Sequence, residues 1–185
     1  MVSKKTVMAI TLEIDKRLKK KILILQKKIY LKTGYSLYLK NNPNLHINLL
    51  SGQVSKKFRD QICNTKSFKI NIKKEVKTNG IGFFLKKKLL IYLRYKRNLF
   101  IDSLRNKLKQ KYKKNFVQIS STAKDDLWIP KTTFFFEQVK GHKFNQLLKI
   151  FKKEIFQNLN FSSNKLLIFE INKQSEKVIG EIKLL

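Results

Sequence analysis

Two short stretches carry side chains suited to gripping a phosphate. Leu45-His46-Ile47-Asn48-Leu49-Leu50 sets a basic residue, a spacer and a small polar residue ahead of apolar ones. Pro130-Lys131-Thr132-Thr133-Phe134 repeats that form. Residues two apart on a pleated strand share a face, so His46 goes with Asn48 and Lys131 with Thr133, while Thr132 and Phe134 take the opposite face. Imidazole exchanges a proton near neutrality, an ammonium supplies fixed positive charge, and the amide and hydroxyl donate hydrogen bonds to phosphate oxygens. Side by side, the two strands would form one cleft, with His46, Asn48, Lys131 and Thr133 as its phosphate ligands.

The elements that must position these residues are largely readable. Met8, Ile10, Leu12 and Ile14 alternate with Ala9, Thr11 and Glu13, which predicts an opening strand. Asp15 then caps a helix whose Leu18, Ile22, Leu25 and Ile29 form one stripe, with Gly34 ending it. Residues 35–40 are an ambiguous connection and Asn41-Asn42-Pro43-Asn44 reads as a turn. His46 to Leu50 is a strand closed by Ser51-Gly52, followed by a short helix over Val54 to Cys63 and a strand over Phe68 to Ile72. Thr78-Asn79-Gly80 reads as a tight turn. Leu89 to Tyr95 is a strand, and Asn98 caps a helix carrying Ile101, Leu104, Leu108 and Tyr112 on one face. Residues 113–125 read as a loop. The stretch 128–137 is a strand, Phe144 to Ile155 a last amphipathic helix, and Lys165 to Ile171 with Val178 to Leu184 a closing strand pair joined by a hairpin around Asn172–Glu176. Interleaved strands and helices with tight hairpins place the chain in the α+β class with mixed sheets. The 185 residues, with 6 Gly and 2 Pro, show no linker, so residues 1–185 read as a single domain of two intertwined lobes.

Charge is the strongest compositional feature. There are 42 Lys and Arg against 12 Asp and Glu, a formal +30, while 42% hydrophobic content and 14 Phe exclude a disordered chain. Such a surface repels itself and collects polyanions, which points to a nucleic-acid or phosphate-rich partner. A single cysteine, Cys63, and two histidines, His46 and His142, leave no intramolecular disulfide and no multi-histidine metal site. No apolar run approaches the roughly 20 residues of a membrane span, and a strand begins almost at the first residue, leaving no room for a signal peptide. These features predict no membrane partner and an intracellular, reducing compartment, cytoplasm or organelle matrix.

The two motifs and their surroundings resemble the 2H phosphoesterase superfamily, the group that contains bacterial RNA 2',3'-cyclic phosphodiesterases, the so-called 2'-5' RNA ligases. That family carries two strand motifs of the form Pro-His-x-Thr/Ser-Leu, one per pseudo-symmetric lobe. Leu45-His46-Ile47-Asn48-Leu49 looks like the first and Pro130-Lys131-Thr132-Thr133-Phe134 like the second. The opening strand and long helix, the Gly80-Ile81-Gly82-Phe83 turn, the helix with Leu104 and Leu108 and the closing strand pair also follow the family's order. The resemblance implies two-lobed, pseudo-symmetric mixed sheets with helices packed outside, and no cofactor or metal. It also implies His46 and Lys131 as the catalytic pair, should the protein be an enzyme. The departures are that Lys131 stands where the second histidine is expected, Asn48 stands at a hydroxyl position, and Pro43 lies three residues upstream of His46.

That chemistry uses two groups, one taking a proton while the other gives one. Lysine starts near a pKa of roughly 10.4, so making Lys131 a base at pH 7 needs a depression of about 3 pH units, or roughly 4 kcal/mol. A phosphate beside it holds it charged instead. The expectation is therefore an RNA-binding protein with an impaired or inactive cleft, such as a structural component of a ribonucleoprotein like an organellar ribosome. The alternative is a metal-independent phosphodiesterase on 2',3'-cyclic phosphate ends, 2'-5' linked or cyclic oligonucleotides. Lys86, Lys87, Lys88, Arg94, Lys96 and Arg97 are the expected backbone-phosphate contacts. Trp128 and Phe134 to Phe136 are read as core rather than base-stacking surface, and His142 as a helix-start residue.

Overall fold

The computed structural model describes residues 6–35, 44–85, 87–120, 123–125, 128–154, 156–172 and 175–185. Among these, ten strands form two sheets. The first six elements are β1 (Thr6–Glu13), α1 (Lys16–Thr33), β2 (His46–Val54), α2 (Lys56–Cys63), β3 (Ser67–Phe68) and β4 (Glu75–Leu85). Then come β5 (Leu89–Tyr95), α3 (Leu99–Tyr112), a 3-10 turn (Lys113–Asn115), β6 (Phe116–Ile119) and β7 (Lys131–Glu137). The chain closes with α4 (Gly141–Phe151), β8 (Gln157–Ser162), β9 (Lys165–Ile171) and β10 (Glu176–Leu184). One sheet has the order β3-β10-β9-β1-β2-β6 and the other β7-β5-β4-β8. All neighbours are antiparallel except β3, which runs parallel to β10. The expected α+β class is the observed architecture, with two sheets and four helices among the described residues, and the one parallel pair lies in the six-stranded sheet.

The helices tie the sheets together. Asp15 Oδ1 accepts from the backbone N–H groups of Arg17 and Leu18, and Gly34 ends α1 in the left-handed region at φ 71°. Its buried stripe, Leu18, Ile22, Leu25 and Ile29, continues into Gln26, whose side-chain amide donates to the carbonyl of Phe134 on β7. So α1, which follows a strand of the six-stranded sheet, packs on β7 and α4 of the other. In the reverse sense α3, capped by Asn98, follows β5 of the four-stranded sheet and packs on β2. One continuous core results, holding Ile10, Ile47 and Leu49 from one sheet with Ile91, Phe134 and Phe135 from the other. A small second cluster of Ala9, Leu167 and Phe169 covers the opposite face of the six-stranded sheet.

Several local expectations are corrected. Ser51-Gly52 does not close β2, which runs on to Val54. Gly52 is there because β6 crosses it: a Cβ would run into the Gln118 carbonyl and come within 2.9 Å of the Ile119 Cα. Thr78-Asn79-Gly80 is not a turn but lies inside β4, where Gly80 at φ 78° lets Asn79 and Gly80 together oppose the single residue Arg94 of β5; toward β8 the extra residue is on β8 instead, where Asn158 has φ 58°. The loop expected over 113–125 contains the 3-10 turn and β6, and β8 was not foreseen. The strand expected over Phe68–Ile72 is only two residues long, because the end of β10 offers it a short edge. The strand expected over 128–137 begins at Lys131, and the last helix ends at Phe151. Pro43, Lys86, Asp126, Leu127 and Ile155 lie outside the described residues, as do most of the 35–44 connection and the centre of the closing hairpin.

Because backbone faces Gly52, the Gly52→Ala variant has nowhere to put its methyl group. It is expected to lose about 2–3 kcal/mol of unfolding free energy, read from the urea midpoint at unchanged slope. A variant as stable as the parent would show that β6 does not press on β2 there.

Candidate phosphate-binding cleft

β2 and β7 belong to different sheets, yet they are joined directly. The Thr132 hydroxyl donates to the His46 carbonyl at 2.8 Å and lies 2.8 Å from the buried Tyr95 hydroxyl. With its one proton committed to His46, Thr132 accepts from Tyr95, giving a relay from phenol to hydroxyl to carbonyl. Burial pushes the Tyr95 phenol well above its ordinary value, so the donor stays protonated. Three residues before β7, the Trp128 indole N–H donates to the Asn48 carbonyl at 2.9 Å. Both polar residues of the first motif are thus held through their own carbonyls by residues flanking or inside the second. The residue that precedes Thr132 is Lys131, so the Lys131 backbone adjoins a hydrogen bond that ends on His46.

Trp128 is itself clamped. The Arg105 guanidinium lies 4.4 Å from its ring centroid and donates to Asp125 Oδ1 at 2.6 Å and to the Ala123 carbonyl at 2.7 Å. Lys109 takes the other Asp125 oxygen at 2.5 Å. Lys109 and Arg105 together hold the Asp125 carboxyl down to a pKa of about 2. Arg105 is buried, its stem packed away and its charge answered on one side by a carboxylate and on the other by an indole face. Arg105, Tyr95 and Thr132 were not singled out from sequence; Arg105 and Tyr95 looked like one more surface cation and one more strand aromatic.

His46 opens β2 on the face that carries Phe169, with ring centroids 4.5 Å apart. Nδ1 lies 2.8 Å from the Asn44 carbonyl, so Nδ1 carries the proton and Nε2 presents a lone pair. Burial lowers the His46 pKa below its ordinary 6.5; Glu176, with a carboxylate oxygen 4.0 Å from Nδ1, and the Asn44 carbonyl raise it, and Lys19 lowers it further. Burial is the largest of these, so the resting imidazole is neutral at pH 7. Asn48 donates from Nδ2 to the Ser51 hydroxyl at 3.0 Å, while its buried Oδ1 lacks a partner among the described residues. Reversing the amide would let Ser51 donate to Oδ1 and free Nδ2 as a donor, the character a phosphate ligand needs.

Lys131 is half-buried, its ammonium 6.0 Å from the centre of the Tyr92 ring, and burial lowers its pKa below the ordinary lysine value. It pairs across the ladder with Arg94. Like charges directly opposite one another destabilise a sheet, and among the described residues no carboxylate lies within ion-pair distance of either. Thr133, half-buried beside Tyr92 in register, makes no side-chain hydrogen bond within the described residues. Of the other expected nucleic-acid contacts, Lys87 and Lys88 are exposed at the β4–β5 connection and Lys96 just beyond β5. Arg97 is exposed too, but it is paired with Asp102 at 2.9 Å. Trp128, Phe134 and Phe135 are buried as expected, whereas Phe136 is exposed, because a bulge at Phe134 puts both Phe134 and Phe135 on the core side. His142 lies in the first turn of α4. No group of three His, Cys, Asp or Glu side chains that could hold a metal occurs among the described residues. No helix among them is long and apolar enough to cross a membrane.

No protein-family model and no curated protein sequence matches this chain. Solved structures do. Escherichia coli LigT in apo form superposes with a TM-score of 0.64 at 10% identity, covering 97% of this chain and 98% of LigT. LigT complexed with 3'-AMP gives 0.61 at 10% identity over the same shares. TT0787 of Thermus thermophilus gives 0.60 at 12% identity, covering 96% of this chain and 97% of that one. The chain therefore has the LigT-like 2H phosphoesterase fold that the motif strands led us to expect.

A proton titration followed by the His46 ring carbon signals in NMR is expected to show a midpoint below 6.5. Folding lowers the affinity of this base for its proton. Its contribution to stability is thus fully present above pH 6.5 and is lost as pH falls through the folded value. Glu176→Gln removes the nearest attraction and should move the midpoint lower still. A midpoint above 6.5 would mean that Glu176, not burial, dominates.

Proposed function

We propose that this chain is an RNA-binding protein on a 2H phosphoesterase fold, whose cleft holds a phosphate and has lost most or all turnover. The observation that carries this reading is the like-charge ladder pair of Arg94 and Lys131, on β5 and on β7, the strand that docks against His46. Two unneutralised cations facing each other are costly to a sheet and favourable to an anion between or above them. The fold's acid–base chemistry needs a second group titrating near neutrality, and Lys131 is a poor one. Burial lowers its pKa, but a bound phosphate acts in the opposite sense and keeps the ammonium charged. A neutral His46 with Nε2 unprotonated accepts rather than donates. It suits a ribose hydroxyl next to the phosphate, a group that RNA has and DNA lacks. Escherichia coli LigT has been solved with phosphate, 3'-AMP and ATP, and its fold is shared across nearly the whole chain.

The surplus of 30 positive charges exceeds what one cleft needs. It fits a long polyanion spread over many faces, as in a structural component of a ribonucleoprotein such as an organellar ribosome. The experiment pairs binding with chemistry on one substrate, a labelled RNA ending in a 2',3'-cyclic phosphate. Binding is expected to weaken steeply with salt, and Lys131→Ala and Arg94→Ala should each flatten the logarithmic salt slope by about 1. The cyclic phosphate is expected to stay closed over hours. Ring opening that disappears in His46→Ala, or RNA binding that is absent at low salt, would overturn the proposal.

A further inference from the structure

The face of the four-stranded sheet that carries Lys131 and Thr133 continues outward as an aromatic surface. Its cross-strand register sets three rows: Arg94 and Lys131 on β5 and β7, beside the β4 bulge; then Gly82, Tyr92 and Thr133; then Phe84, Leu90 and Phe136. Rows two residues apart lie about 6.7 Å apart, comparable to the phosphate spacing of an extended nucleic-acid strand. The chemistry grades from cationic beside His46, through a tyrosine, to exposed apolar rings. Phe84 and Phe136 are each 42% exposed. Phe84 stacks on Tyr92 with centroids 5.1 Å apart and planes at 25°. Gly82 makes that stack possible, since a Cβ there would lie 2.6 Å from the Tyr92 ring.

Cations guard both ends of this surface. Lys131 sits over Tyr92, Lys88 lies 5.0 Å from the centre of the Phe136 ring, and the three rows contain no carboxylate. Glu75, further along β4, is paired with Lys73 at 3.0 Å. Exposed flat rings bracketed by lysine and arginine complement one kind of partner in particular: an unpaired strand, whose bases offer π faces and whose phosphates need positive charge. We propose that this face is a stacking platform for unpaired bases of the RNA strand whose phosphate sits at Lys131. The inference rests on the RNA-binding reading and adds that the ligand is single-stranded, with at least two bases lying on Phe84 and Phe136. A duplex keeps its bases stacked on one another and cannot use the platform.

The test is fluorescence anisotropy with a single-stranded RNA of about eight nucleotides, a blunt duplex, and an abasic oligonucleotide with the same number of phosphates. The proteins are the full chain and its Phe84→Ala, Phe136→Ala and Phe84→Tyr variants, each checked for an unchanged unfolding midpoint. Each alanine is expected to weaken single-strand binding about tenfold, with little effect on the duplex or abasic ligand, and Phe84→Tyr to restore it. The salt slope, set by phosphates, should stay the same. If the parent binds RNA in a salt-dependent way but the alanine variants and the abasic ligand bind equally well, the platform is wrong and the RNA-binding reading stands. Failure of the parent to bind any of the three sinks both. Concentration-dependent dimers, or binding to anionic lipid vesicles, that are lost in Phe84→Ala without any base dependence would assign the face to another partner and overturn the proposal.

Discussion

The two motif strands of this protein lie on different sheets, and what joins them is a pair of side-chain hydrogen bonds to the backbone of β2. Thr132 reaches the His46 carbonyl and Trp128 reaches the Asn48 carbonyl. Each such bond contributes only about 1 kcal/mol net, but a buried carbonyl left without a donor costs about 1–3 kcal/mol. The geometry is therefore held more by the penalty for parting than by the gain of joining. Behind it stands a second layer. Tyr95 commits the Thr132 hydroxyl to donate, and Arg105, anchored by Asp125 and the Ala123 carbonyl, presses its guanidinium on Trp128. Crossing of the helices does the rest, because α1 and α3 each follow one sheet and pack on the other.

On that frame sits an electrostatic arrangement that costs stability. Arg94 faces Lys131 across the ladder, Lys131 is half-buried over an aromatic ring, and the formal charge of the chain is +30. Self-repulsion of this kind destabilises a compact state. An anion bound there, as proposed, would remove the cost, so ligand binding and stability would rise together. The same charges hinder proton transfer. A cation fixed beside a phosphate would bind it well and exchange protons poorly, and a histidine whose pKa is lowered by burial is a weaker base whose protonated, acid form is scarce at neutral pH. On the proposed reading, binding and turnover are thereby separated within one cleft.

Much of this was legible in the sequence, for local reasons. The ends of α1 and the start of α3 were readable because their stop and start signals, Asp15, Gly34 and Asn98, act over one turn of backbone. β5 was readable because its alternating apolar residues fill a core face. The motif strands were legible because their polar pairs share one face at a spacing of two. Illegible were features fixed by distant neighbours. Asn79-Gly80 has the composition of a turn, and only its pairing with β5 makes it a bulge. Gly52 looks like a terminator until β6 is laid across it. β6 and β8 are short and largely exposed, and they exist because edges of the two sheets accept them. Phe136 read as core because the bulge at Phe134 that flips the alternation is invisible in composition. Arg105 was hidden by its abundance of like neighbours.

The central claim is that an imidazole on one sheet and an ammonium on the other serve a single phosphoryl group. It is tested most directly by titrating the isotope-labelled protein with 3'-AMP while following the His46 ring nitrogens and the Lys131 Nζ in one NMR experiment. The account predicts that both sets of signals move along one saturation curve, with a common Kd, and that Lys131→Ala abolishes the His46 response. Movement of one residue without the other, or two curves with separate constants, would contradict it.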